Sequence, residues 1–164
     1  MLKASVTFRV LAALPFATLA LATTGLEAAP THEITINIKK VKALDKADAF
    51  SKGDFFARVT INGEVQTTQH MRQSAEITPN WKLAAKVPPG EVKVKVEILD
   101  KDVSANDPID INRVDAKRDL DFRVDTKKCR VLDFSSPYKC GQTIMRGGKE
   151  KKSAEISFTV GVKK

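Results

Sequence analysis

Val92, Val94, Val96 and Ile98 alternate with Lys93, Lys95 and Glu97. That period of two gives a strand one apolar face and scatters the same residues around a helix. The alternation recurs at Ile34, Ile36 and Ile38 and again at Ile156, Phe158 and Val160. β-branched side chains dominate these runs, and their restricted χ1 suits a pleated surface. A strand that is apolar on one face needs a second layer to cover it, so the chain reads as all-β. Strands are expected at Glu33–Val41, Phe55–Ile61, Glu64–His70, Trp81–Val87, Val92–Leu99, a segment ending near Val124, Cys129–Phe134 and Glu155–Val162. Their spacing predicts an eight-stranded antiparallel β-sandwich in one domain, residues 30–164. Asn62-Gly63 predicts a two-residue hairpin turn, and Pro88-Pro89-Gly90 a turn that no ladder crosses. Ser135–Lys152 reads as a polar excursion ending in the basic run Lys149-Glu150-Lys151-Lys152, a solvated loop.

Two loops in this pattern are acidic. After the strand Val92–Leu99 come Asp100, Asp102 and Asp107, spaced D-x-D-x4-D. In extended chain Asp100 and Asp102 project to one side, where two carboxylates 4 Å apart repel by about 4 kcal/mol at an effective dielectric near 20. A second acidic stretch runs from Asp45 through Asp48 to Asp54, with Gly53 able to turn tightly before the next strand. Carboxylates gathered this way call for a cation, and an all-oxygen set favours Ca2+, with Mg2+ the weaker fit, over zinc or copper. Solvated, independent loop aspartates are the alternative.

The N-terminus has the layout of a secretory signal peptide. Lys3 and Arg9 precede an apolar run from Val10 to Ala22, and small residues at Ala22 or Ala28-Ala29 offer cleavage sites. The run is too short for the roughly 20 residues of a membrane span. Removing residues 1–29 takes away Lys3, Arg9 and Glu27, which lowers the net charge from +8 to +7. A basic exported domain, secreted or periplasmic, suits anionic partners such as phospholipid headgroups. In an oxidising compartment Cys129 and Cys140, the chain's two cysteines, are expected to pair. The competing reading, a catalytic thiol, has only His32 and His70 as bases, and neither sits in a nucleophile motif.

The order and spacing of these elements resemble a C2 domain from about Glu33 to Val162. The strand Ile34-Thr35-Ile36-Asn37-Ile38 leads to Asp48; Lys52-Gly53-Asp54-Phe55-Phe56 is similar to the family's S-D-P-Y element, with Phe56 for the tyrosine. Thr78-Pro79-Asn80-Trp81 resembles N-P-x-W with proline and asparagine transposed. Asp100 and Asp102 match the D-x-D, and Asp107 the closing aspartate, one residue earlier than the common spacing, so that Asp110 stands as a substitute or an addition. The last strand, Ser153–Val160, looks like the one that opens the domain in the other topology, which implies the permuted, type II arrangement. The resemblance further implies that Asp48, Asp54, Asp100, Asp102 and Asp107 converge on Ca2+ at one end of the sandwich. Open coordination positions would take lipid phosphate oxygens, while Ala49, Phe50 and Val103 dip into the headgroups.

The expected function is a Ca2+-dependent module, a monomer, that docks on anionic phospholipid membranes. A Ca2+-stabilised protein-interaction module without lipid binding is the second reading. An enzyme is disfavoured: there is no P-loop, no G-x-G-x-x-G, no G-x-S-x-G and no H-E-x-x-H. Nucleic acid is disfavoured because the few aromatics are not interleaved with the basic residues.

Overall fold

The isoleucines at 34, 36 and 38 become the inner face of the first strand, β1 (His32–Ala43), and all three are fully buried. The computed structural model describes residues 31–44, 54–72, 75–101 and 105–164. The expected signal segment 1–29 and the positions Asp48, Ala49, Phe50, Asp102 and Val103 lie outside the described residues. The other described strands are β2 (Asp54–Ile61), β3 (Glu64–Thr67), β4 (Met71–Arg72), β5 (Glu76–Ile77), β6 (Trp81–Val87) and β7 (Glu91–Asp100). They are followed by β8 (Asp107–Ile109), β9 (Leu120–Asp125), β10 (Arg130–Val131), β11 (Tyr138–Lys139), β12 (Ile144–Gly147) and β13 (Ala154–Lys163).

These segments form two antiparallel sheets. Sheet one runs β12-β13-β1, with β6 and the short β5 sharing the far edge of β1. Sheet two runs β11-β10-β9-β7-β2-β3, with β4 beside β3 on β2 and β8 beside β9 on β7. Counting β3 with β4, β5 with β6 and β8 with β9 leaves eight strands plus the small β10–β11 ribbon, with β12 taking the place expected of Cys129–Phe134. Ile36 faces Val160 on one side and Leu83 on the other in sheet one; Val59 faces Val96 in sheet two. Both inner faces are apolar and alternate with polar outer positions, so the sheets close on one common core. The final strand β13 lies antiparallel along almost all of β1, the placement expected of the type II order.

Three local features differ from the expectation, each for a physical reason. β1 carries a bulge between Ile38 and Lys40. The bulge resets the phase, so that Val41, three residues after Ile38, is also buried. The expected strand Cys129–Phe134 shrinks to Arg130–Val131, because Cys129 (φ 52°) and Asp133 (φ 69°) both take left-handed backbone that ends a ladder. The polar excursion is not all loop. Its β11 pairs with β10, and its β12 adds an edge to sheet one with Ile144 fully buried.

The turns follow the sequence. Asn62 (φ 51°) and Gly63 (φ 88°) form the left-handed pair of a type I′ hairpin. At the Pro88-Pro89-Gly90 turn, the buried Thr126 hydroxyl accepts the Gly90 N–H and donates to the Gly90 carbonyl. The two cysteines are joined, with Cα atoms 5.3 Å apart across 11 residues. A loop of that size is worth about 3 kcal/mol by chain entropy.

The outer face of sheet two is charged and internally compensated. Arg58 and Glu97 stand opposite each other on β2 and β7, and the guanidinium forks both carboxylate oxygens at 2.7 Å. Arg58 hydrogen bonding holds the Glu97 carboxyl below the ordinary glutamate value, against a smaller opposing effect of burial. A depressed carboxyl contributes stability that is present above its unfolded value, near 4.5, and lost as pH falls through the lower folded value. The melting temperature is therefore expected to fall as pH drops below about 4.5, and Glu97→Gln to reduce that slope by removing about 1 kcal/mol at neutral pH. Equal slopes for the two proteins in a pH series of thermal melts would show that this pair does not govern the acid limb.

Candidate functional site

The expected carboxylates gather where β2, β7 and β8 meet at one end of sheet two. β2 begins at Asp54, and the Asp54 N–H donates to Asp100 Oδ1 at 2.7 Å. The Lys101 N–H returns to the Asp54 carbonyl at 3.0 Å. Asp100 closes β7, and its cross-strand partner on β8 is Asp107. Thus Asp54, Asp100 and Asp107 occupy adjacent strand ends. The two segments that hold Asp48 and Asp102 enter and leave at this same end, since one precedes β2 and the other separates β7 from β8.

Each described carboxylate at this end already has company. Asp54 Oδ2 lies 3.8 Å from His70 Nε2. Asp100 spends Oδ1 on the start of β2. Asp107 is ion-paired with the ammonium of Lys152. Among the described residues no three His, Cys, Asp or Glu side chains are close enough to hold a metal ion. The donor chemistry nonetheless fits a hard cation: three carboxylates at neighbouring strand ends, with two more aspartates in the segments between them.

Asp110 is not a further ligand. It is fully buried and works as a cradle. Its Oδ1 accepts the Asn112 N–H at 2.9 Å, and its Oδ2 accepts the N–H groups of Lys149 and Glu150, each at 2.8 Å. Its own N–H donates to the Lys152 carbonyl, and its carbonyl accepts the Ala154 N–H, both at 2.8 Å. Gly148 passes so close that a Cβ there would collide with the Asp110 carbonyl oxygen. Charged acceptors of this kind make the stronger hydrogen bonds.

The result is a strap, residues 148–153, laid over the connection that follows β8. Lys149 pairs with Asp115 at 2.6 Å, Arg118 with Glu150 at 3.6 Å, and the Ala116 N–H donates to Glu150 Oε1 at 3.0 Å. In the basic run read as a solvated loop, Lys149, Glu150 and Lys152 thus have partners, while Lys151 is exposed. Lys152 was missed as a site residue, because nothing in the sequence near Asp107 announces a partner 45 residues away.

A second recess lies between the disulfide-tied excursion and the 112–118 connection. It is a cleft of about 640 Å3 whose lining includes Arg113, Val114, Leu120, Phe134, Met145 and Arg146. The Arg146 guanidinium stacks 4.1 Å over Phe134, within a ladder of rings that runs Tyr138, Phe134, Phe122, Phe158. Asp121, Asp133 and Glu155 line the same cleft and oppose its positive charge.

Comparison with known proteins bears on the whole sandwich. The C2 domain family model matches residues 32–130. Among solved structures, one described as a C2 domain superposes with TM-score 0.55 at 11% identity, covering 81% of this chain and 99% of that one. A single C2 domain of plant Extended Synaptotagmin 1 gives 0.56 at 10% identity, covering 83% and 97%. The paired C2 domains of Extended-Synaptotagmin 2 give 0.57 at 13% identity, covering 96% and 48%. Human GIVD cytosolic phospholipase A2 also matches, but the chain spans only 17% of its length. No curated protein sequence matches this one.

Proposed function

The chain belongs to the C2 domain family, and from that premise we propose that it is an exported Ca2+-binding module that docks on anionic phospholipid surfaces through the end of the sandwich where β2, β7 and β8 meet. The observation that carries the reading is the convergence of Asp54, Asp100 and Asp107 on adjacent strand ends, flanking the segments that contain Asp48 and Asp102. These five aspartates would hold the ion. When bound, Ca2+ supplies positive charge and open coordination positions that attract phosphate oxygens.

The chain's own residues do the rest. Asp100 ties β2 to β7, so the two donor-bearing loops leave from a fixed base. The cross-strand placement of Asp107 opposite Asp100 brings the far end of the second acidic segment back to its start. The tip residues Ala49, Phe50 and Val103 would enter the headgroup layer beside the ion. The basic balance of the chain, +7 without residues 1–29, favours an anionic surface at long range. The role is binding rather than catalysis.

Co-sedimentation with phosphatidylserine vesicles tests this. Binding is expected with millimolar Ca2+, to be lost with EGTA and to be lost in Asp100→Asn/Asp102→Asn. At ten times Kd the ion should also add about 1.4 kcal/mol of stability, a rise of several degrees in the melt. A Ca2+-dependent melt without vesicle binding would support the protein-interaction reading instead. Vesicle binding that is equal with Ca2+ and with chelator would overturn the switch.

A further inference from the structure

Lys152 reaches the acidic end from a part of the chain that the acidic loops do not contain, and it is placed there by construction. Its carbonyl accepts the Asp110 N–H, and its neighbour Ser153 bridges Asp110 in parallel register. The Asp110 carboxylate holds the N–H groups of Lys149 and Glu150 just upstream. Lys152 takes left-handed backbone, φ 57°, which a lysine adopts only when its surroundings fix it. So fixed, its ammonium pairs with Asp107, directly across from Asp100. Two neighbouring cations are committed elsewhere, Lys149 to Asp115 and Arg118 to Glu150 and the Pro108 carbonyl.

We propose that Lys152 is a tethered counter-ion that competes with the metal for Asp107, and so sets how much Ca2+ the site needs. This rests on the metal reading above. In the absence of ion the ammonium neutralises part of the carboxylate cluster and keeps β8 and the strap together. Ca2+ must displace it from Asp107 before that carboxylate can ligate. The lysine therefore weakens Ca2+ binding and narrows the difference between the metal-free and metal-bound forms.

Calorimetric titration of the oxidised protein with Ca2+ tests the role, using wild type, Lys152→Met and Lys152→Arg. Removing an opposing charge at a part-buried pair is expected to tighten binding about fivefold or more in Lys152→Met. Lys152→Arg keeps the charge and should stay within about twofold of wild type. The wild-type protein offers an independent readout through NMR of its lysine ammonium groups. The Lys152 signal should move on Ca2+ addition with the same Kd as the calorimetry, as the ammonium leaves Asp107. Wild type that binds Ca2+ while Lys152→Met binds no more tightly, or a Lys152 signal unmoved at saturation, overturns the proposal and leaves the metal reading standing. Binding by Lys152→Met alone supports it. No binding by either protein overturns both.

Discussion

Asp110→Ala is expected to lower the unfolding free energy by about 3–5 kcal/mol. The loss comes from three part-buried N–H groups, those of Asn112, Lys149 and Glu150, which share one buried carboxylate as acceptor. An unsatisfied buried donor costs about 1–3 kcal/mol, and truncation to a methyl group leaves all three without their acceptor. Asp110→Asn should lose less, about 2 kcal/mol. Its amide keeps one oxygen but turns an NH2 group toward donors. The effect should be local as well as global, since the cradle presents Lys152 to Asp107. Urea unfolding measures the first part, and amide exchange at residues 148–152 the second. A loss below about 1 kcal/mol in the alanine variant would mean that water replaces the carboxylate.

Phe158→Ala should cost about 3–5 kcal/mol, the range for a buried aromatic truncated in a packed core. Phe158 is fully buried at the centre of β13, opposite Ile38 and Ile144 on its two sides. Its ring stacks 5.8 Å from Phe122, which contacts Phe134, which meets Tyr138 edge to face. The variant therefore also removes the inner anchor of the ladder on which the disulfide-tied excursion rests. Loss of amide protection at Ile144–Gly147 is expected beyond that of β2 and β7. Uniform loss across both sheets would show that the ladder carries no separate support.

The strands were legible because period two survives in almost every one of them, and β1, β2, β6, β7 and β13 appear where the alternation puts them. The bulge in β1 was also visible in principle, as the step of three from Ile38 to Val41 among steps of two. β12 was not, since Ile144 is a single buried side chain beside the exposed Met145 in polar sequence, too little for any period. The ends of β10 depend on left-handed Cys129, a type with no turn signal of its own, and Asp133, a turn former that alone does not mark where a strand stops. At the site, aspartate spacing pointed to Asp54, Asp100 and Asp107 as neighbours. It could not separate Asp110 from them. What distinguishes Asp110 is its burial against backbone donors from the strap, which only the docking of β13 supplies. The same long-range docking brings Lys152 to Asp107.

The pairing of β1 with β13 also bears on how the fold is reached. These are the first and last described strands, and they lie side by side at the centre of sheet one. Sheet two can begin from a near-neighbour contact, the β2–β3 hairpin closed by Asn62-Gly63. Sheet one also has a local pair, β12 with β13, but joining that pair to β1 closes a loop that contains nearly the whole domain. Loop-closure entropy makes that step costly, and chains dominated by such distant pairings fold slowly for their size. The disulfide gives no help, since it ties off only a short segment inside the large loop. Until β13 pairs, β1 lacks its neighbour on one edge, and the acidic strand ends lack Lys152. Completion of sheet one and charge balance at the acidic end thus depend on the same long-range pairing.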